Sequence, residues 1–116
     1  MLHLVYLFRP TAHARAHQTE FWAWVADRER WFYDGLAMVE STQWYAQTIG
    51  ANVHCVEHFV TFADESAWGA YRRAVSERGA DPAWELRRTE QERWYEIVDA
   101  RLLSDAPVEL GLPRPG

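Results

Sequence analysis

The run Val56–Val75, VEHFVTFADESAWGAYRRAV, changes its period halfway along. Up to Phe62 it is rich in β-branched and aromatic residues, so it reads as the end of an extended stretch over 53–62. Asp64 then offers a side-chain oxygen to the unpaired N–H groups of a helix start. Trp68, Tyr71, Arg72 and Val75 fall on one side of that helix, and Gly79 closes it.

Upstream, residues 36–48 form the other arm of a hairpin around Ile49-Gly50-Ala51-Asn52. A four-residue turn sets Thr48 opposite Val53, Ala46 opposite Cys55 and Trp44 opposite Glu57, and a slip of one residue exchanges the two faces. Before the hairpin, residues 11–34 carry His17, Phe21, Trp24, Arg28 and Trp31/Phe32 at three- and four-residue steps. That spacing predicts an amphipathic helix ending near Asp34-Gly35. Residues 2–8, LHLVYLF, read as a first strand stopped by Arg9-Pro10. Downstream, Asp81-Pro82 opens a charged helix over 82–94, with Glu85/Arg88 and Arg88/Glu92 spaced for ion pairs. Residues 95–103, YEIVDARLL, make a last strand, and 107–116 is a Pro/Gly-punctuated tail.

The order β-α-β-β-α(α)-β predicts one α+β domain over residues 1–106. It is ferredoxin-like, a four-stranded antiparallel sheet with its helices on one face. The other face stays uncovered in a single chain. Both hairpin faces carry large apolar groups: Trp44, Cys55 and Phe59 on one, Tyr45, Val56, Val60 and Phe62 on the other. An exposed apolar sheet expects a partner, and a two-fold homodimer is the simplest one.

Composition narrows the function classes. A chain of 116 residues is one domain, and its net charge of −5 argues against a nucleic-acid partner. No apolar run approaches the ~18 residues that span a bilayer, so no membrane partner is expected. The first residues lack a basic segment, which predicts no secretory signal. Cys55 is the single cysteine, so it forms no internal disulfide and a cytoplasmic location is the expectation. All 12 basic residues are Arg, which excludes a lysine Schiff base. Seven Trp beside 5 Tyr and 5 Phe exceed what packing demands, and stacking on a flat aromatic ligand accounts for the surplus. The sequence contains no glycine-rich phosphate loop, GxSxG, HExxH or zinc ribbon.

The order of elements resembles the dimeric α+β barrel superfamily, which includes antibiotic-biosynthesis monooxygenases, NIPSNAP-type proteins and small polyketide cyclases. The local likeness is to the NIPSNAP-type group: VEHFVTFADESAWGAYRRAV, then DPAWELRR (81–88), then a closing ARLLSDAP (100–107). The resemblance covers about residues 2–106. It implies a dimer whose two sheets form a barrel, with a small-molecule cleft between each sheet and its helices. It carries no catalytic residue, because the superfamily shares no single catalytic set.

Chemistry-bearing residues must therefore be read one by one. His54 and His58 share a strand face but sit about 13 Å apart at ~3.3 Å per residue, so one metal cannot take both. In the register above, Gln43, Tyr45 and Gln47 join that face, giving a pocket with a general base and hydrogen-bond donors. The competing reading is a water-filled interior or an exposed edge. His13 and His17 have the i,i+4 spacing of a helical metal pair. No Cys lies near them in sequence and a carboxylate would have to come from elsewhere, so no metal is expected, and His17 looks inward on the Phe21/Trp24 stripe. Arg28 on that stripe needs a counter-charge, either Glu40 or Glu57, or the carboxylate or enolate of a ligand. Arg72, between Trp68 and Val75, invites the same two readings. Glu40 and Glu57, on the Trp44 face, are either acids of raised pKa or partners in a salt bridge across a dimer. Trp24, Trp31 and Trp68 have core spacing, and Cys55 is inert packing.

The leading expectation is a small homodimeric biosynthetic enzyme acting on an aromatic or polyketide-like molecule, without a cofactor, of monooxygenase, cyclase or isomerase type. His58 or His17 would remove a proton, and Tyr45 or Arg28 would stabilise the enolate. Trp24, Trp44, Trp68, Gln43, His54 and Arg72 would bind the substrate. A second expectation is a haem-binding or haem-processing protein with His17, His54 or His58 as proximal ligand, noncovalent because no CxxCH is present. A third is a non-catalytic ligand-binding module.

Overall fold

In the computed structural model, which describes residues 1–111, four strands form one antiparallel sheet in the order β2-β3-β1-β4. Along the chain these are β1 (Leu2–Pro10), α1 (Ala12–Ala16), α2 (Gln18–Phe32), β2 (Ser41–Ala46) and β3 (Val56–Phe62). There follow α3 (Glu65–Arg78), α4 (Pro82–Thr89), a 3₁₀ turn (Glu90–Arg93) and β4 (Tyr95–Ser104). This is the ferredoxin-like α+β architecture expected from the order of elements.

The caps are local and follow from residue type. The side chains of Thr11, Asp64 and Asp81 accept the backbone N–H of Ala14, Ala67 and Ala83, satisfying donors that a helix start leaves unpaired. The helix expected over 11–34 is divided. His17 leaves helical geometry (φ −131°, ψ 54°), so α1 and α2 meet at an angle there. Beyond Phe32 the chain turns through Gly35 at φ +75°, the left-handed conformation that glycine adopts without a Cβ clash.

The hairpin differs most from expectation. Its first arm is Ser41–Ala46 rather than 36–48, because residues 33–40 close two turns, Leu36 N–H to Tyr33 O and Val39 N–H to Leu36 O. Its second arm starts at Val56, because His54 sits at φ +72° inside a loop held by Gln47 and Cys55. The longer loop slips the register by one residue. Trp44 pairs with His58 and Ala46 with Val56, not Trp44 with Glu57. Trp44 therefore shares a face with His58, Val56, Val60 and Phe62, while Gln43, Tyr45 and Glu57 fall on the opposite face.

Two apolar clusters lie between sheet and helices. Phe8, Phe21, Val25, Val56, Trp94 and Tyr95 pack under α2, flanked by Trp24 and Trp44. Phe32, Leu36, Val60, Phe62 and Tyr71 pack under α3, flanked by Trp31, Trp68 and Trp84. Trp24, Trp31 and Trp68 thus take the packing positions that their spacing predicts. Past Tyr95, β4 leaves Ile97, Val98, Leu102 and Leu103 exposed, Ile97 and Leu102 on the helix side of the sheet and Leu103 on the open side. Residues 107–111 of the expected tail hold no helix or strand, and 112–116 lie outside the described residues. Among the described residues no helix is long and apolar enough to cross a membrane.

Candidate functional site

On the inward stripe of α2, Phe21, Val25, Arg28 and Phe32 follow one another at helical spacing, and all four are buried. Arg28 is therefore carried into the apolar layer by the same periodicity that buries its neighbours. Its guanidinium lies over the Phe32 ring, 4.0 Å from the centroid, and NH1 donates to the Tyr33 hydroxyl at 3.5 Å. The nearest carboxylate is not Glu40 or Glu57, as the strand pattern suggested. Glu40 is exposed, and Glu57 pairs with Arg101 at 2.9 Å on the open side of the sheet. Glu29 stands closest, its Oε1 at 4.0 Å from Arg28 NH1, beyond hydrogen-bond reach. Both Glu29 oxygens already accept bonds, Oε1 from Trp44 Nε1 at 2.8 Å and Oε2 from the Thr42 hydroxyl.

Behind Arg28 lies a chain of hydrogen bonds with a defined direction. His58, on β3, is fully buried, and its ring stacks on Trp44 with centroids 4.0 Å apart. Its Nδ1 lies 3.0 Å from the Gln43 carbonyl oxygen, which can only accept, so Nδ1 carries the proton. Nε2 is left as the acceptor for the Tyr33 hydroxyl at 2.6 Å. Burial first, and the nearby Arg28 charge second, push the His58 pKa down to about 3 against a helping bond from Gln43, so the ring is neutral. Burial also holds the Tyr33 hydroxyl far above the ordinary phenol range, and Arg28 opposes that rise.

A cleft of about 640 Å³ opens between the sheet and α2, α3 and α4. Leu4, Phe8, Phe32 and Trp68 supply its apolar walls, and Tyr6, Tyr71 and Arg28 its inner polar groups. Arg72 and Arg88 stand on the α3 and α4 sides. Tyr71 has its pKa raised by burial, with Arg28 and Tyr33 acting against the shift. Burial likewise raises Tyr6. The cleft thus offers neutral hydroxyl donors and one buried cation between aromatic walls, the composition of a small-molecule site.

The expected site residues divide around this cleft. Arg28, Arg72 and Trp68 line it. His58 and Trp44 form the layer behind it, and among the described residues no histidine lines it. Trp24 packs on the Trp94 and Tyr95 rings. Gln43 and Tyr45 are exposed on the other side of the sheet, hydrogen-bonded to each other, so the shared His58 face fails with the register. Only the Gln43 backbone reaches His58. His54 lies in the hairpin loop and lines a separate cavity of about 400 Å³ with Arg15 and Trp22. His17 is exposed, not inward, with Nδ1 against the His13 carbonyl at 2.9 Å. His13 and His17 stack at 4.4 Å between centroids, and among the described residues no group of three or more His, Cys, Asp or Glu side chains could hold a metal. Four participants escaped the sequence reading: Tyr33, Glu29, Tyr6 and Tyr71. Tyr33 follows the last turn of α2, where helical periodicity no longer marks a face, and Tyr6 and Tyr71 look like ordinary core aromatics.

Fold and cleft define a ferredoxin-like α+β protein with a pocket between its sheet and helices. The resemblance to NIPSNAP-type and monooxygenase-like proteins is borne out in the fold. An uncharacterized NIPSNAP domain protein from Burkholderia xenovorans superposes with a TM-score of 0.66 at 21% identity, covering 98% of this chain and 100% of that one. SnoaB, a cofactor-independent oxygenase from Streptomyces nogalater, gives a TM-score of 0.60 at 16% identity, covering 92% and 94%. An antibiotic-biosynthesis monooxygenase-like protein from a Bacteroides species gives 0.52 at 13% identity, covering 98% and 95%. No protein-family model and no curated protein matches the sequence.

Proposed function

We propose that the chain is a small cytoplasmic homodimeric enzyme acting on an aromatic or polyketide-like molecule by acid–base chemistry, without a resident cofactor. The observation that carries this reading is the cleft, with flat apolar walls and Arg28, Tyr6 and Tyr71 at its inner end. A planar substrate stacks between Phe8, Phe32 and Trp68. Its carbonyl oxygen meets Arg28, whose charge stabilises the enolate formed when a proton leaves. That proton passes to Tyr71 oxygen as the Tyr71 proton moves to Tyr33 and the Tyr33 proton to His58 Nε2. Glu29, 3.8 Å from His58 Nε2, steadies the imidazolium. His58 acts through Tyr33 and is a positioning residue, and Tyr45 and His17 have no part in this scheme. Whether the enolate then meets oxygen or an internal electrophile fixes the reaction type, and the oxygenase name of one structural neighbour favours oxygen. Haem held by histidine finds less support, because both His58 nitrogens are engaged and among the described residues no histidine faces the cleft. Leu103 and Tyr45, exposed on the open side of the sheet, supply apolar surface for a second copy.

Aerobic incubation with anthrones and polycyclic 1,3-diketones, followed by mass spectrometry, tests the reading. Conversion should be lost on Tyr71→Phe and reduced at least about tenfold on Tyr33→Phe, as befits loss of general acid–base catalysis. Conversion that is absent in the wild type, or unchanged in both variants, would reject it.

A further inference from the structure

We infer that the cleft takes its ligand as an anion, a flat conjugated body bearing one negatively charged oxygen, with Arg28 as the built-in counter-ion. The inference rests on the cleft being the ligand site proposed above, and it does not require turnover. Arg28 is 7% exposed, yet among the described residues its only hydrogen bond is the 3.5 Å contact to the Tyr33 hydroxyl. A guanidinium carries five N–H donors and cannot shed its charge. Burying it with one long bond costs free energy that a partner must offset. Glu29 is no such partner, standing at 4.0 Å with its oxygens accepting from Trp44 and Thr42.

The rest of the lining agrees in sign. Among the described residues no carboxylate lines the cleft, whereas Arg28, Arg72 and Arg88 do. Arg88 is held by Glu85, with Nε donating at 2.9 Å and a second contact beside it. Arg72 lies 5.2 Å over the Trp68 ring and makes no ion pair among the described residues. A chain with net charge −5 thus keeps on one aromatic cleft Arg72, which has no ion pair among the described residues, and Arg28, whose one carboxylate neighbour stands 4.0 Å away. A planar carboxylate or enolate would meet the free edge of the Arg28 fork while its rings stack on Phe32 and Trp68. The buried charge then selects, because a neutral analogue of the same shape can accept a hydrogen bond from Arg28 but brings no counter-charge.

Calorimetric titration with 2-naphthoate and its neutral isostere 2-naphthamide tests this directly. The acid should bind about tenfold to a hundredfold tighter than the amide, the range of one charge-assisted hydrogen bond. A second pair, 2-hydroxy-1,4-naphthoquinone as its enolate against 1,4-naphthoquinone, asks whether carboxylate or enolate oxygen is preferred. Either preference for an anion supports the inference. Arg28→Gln should abolish the acid preference, with circular dichroism reporting the fold. Should that variant not fold, Arg72→Gln decides. A preference kept in Arg72→Gln assigns it to Arg28, and a preference lost there moves the anion to the rim and overturns the assignment. Equal affinity for acid and amide, or no binding of either pair, also overturns it. Anion binding without any conversion would defeat the enzymatic reading alone, and conversion of neutral probes with no anion preference would defeat this inference alone.

Discussion

The two faces of the sheet handle charge in opposite ways. On the covered face, Arg28, Glu29, Tyr33 and His58 sit among buried aromatic rings, with Trp44 and Thr42 donating to Glu29 and a separate chain running from Arg28 through Tyr33 and His58 to the Gln43 carbonyl. On the open face, charge is paired across strands at the surface, Glu57 with Arg101 at 2.9 Å and His3 with Asp105 at 2.6 Å. Large apolar groups surround those pairs: Tyr45 is 50% exposed and Leu103 40%. Exposed pairs are screened and contribute little, so they set register more than stability. Buried ones are costly when broken and are kept where they do something. On the proposed reading, chemistry therefore belongs to the covered face and assembly to the open one.

The largest difference should appear on truncating one aromatic residue on each face. Phe62 is fully buried under α3, and Phe62→Ala should cost about 3–5 kcal/mol, enough to unfold much of the population. Tyr45→Ala should leave the urea midpoint of dilute protein nearly unchanged. Equal losses would erase the distinction between the faces. Next in size is assembly. A Leu103→Glu chain places a charge on the apolar face, at a cost of about 3 kcal/mol to a dimer buried there. Light scattering should report the 13.6 kDa chain alone where the wild type gives twice that mass. A monomeric wild type would remove assembly from the open face.

Protonation of His58 sharpens the comparison from the covered side. Its ring is neutral in the fold with a pKa near 3, against an ordinary value of 6.5 when unfolded. The unfolded chain therefore binds more protons between those limits. His58 should weaken the fold as pH falls from about 6.5, by up to about 1.4 kcal/mol for each pH unit until the folded pKa is reached. Thermal melts from pH 7 to pH 4.5 should show this limb, and His58→Gln should flatten it. His13, held low by partial burial and by Arg93, titrates in the same direction from a half-buried site outside the His58 network, so His13→Gln is the control and should change the slope little. Asp105 and Glu85, both held below the ordinary carboxylate range by hydrogen-bonded partners, lose their contribution only in more acid solution.

The legibility of these two faces in the sequence was uneven for physical reasons. The strand-to-helix switch at Phe62–Asp64 and the Phe21/Arg28/Phe32 stripe could be read because both rest on local periodicity. The hairpin register could not, because it depends on loop geometry. One left-handed residue, His54, lengthens the loop and slides Trp44 from Glu57 to His58. That single step decided which side chains reach the covered face, and it moved Tyr45 and Gln43 out of the site. Arg28 was visible as an oddity in an apolar stripe. Its surroundings were not, since Tyr33 and Glu29 are set by where α2 stops and how it crosses β2.

The smallest expected effect concerns that stopping point. The last carbonyls of α2 have no intrahelical partner. Arg78, at the far end of α3, supplies one, NH1 donating to Phe32 O at 2.8 Å and NH2 to Asp34 O at 2.5 Å. One fork thus fixes the turn that aims Tyr33 at His58, while Gly35 leaves room for it: a Cβ there would stand 3.2 Å from Arg78 NH2. Arg78→Lys keeps the charge but cannot hold two carbonyls in one plane. It should cost about 1 kcal/mol in urea unfolding, within the range of a single hydrogen bond. The more telling readout is the imidazole. If the fork aims Tyr33, nitrogen NMR of Arg78→Lys should show His58 losing its fixed Nδ1–H tautomer while its neighbours on β3 stay unshifted. A tautomer unchanged by the substitution would mean that packing of Phe32 and Trp44 alone holds the relay, and that the end of α2 does not direct it.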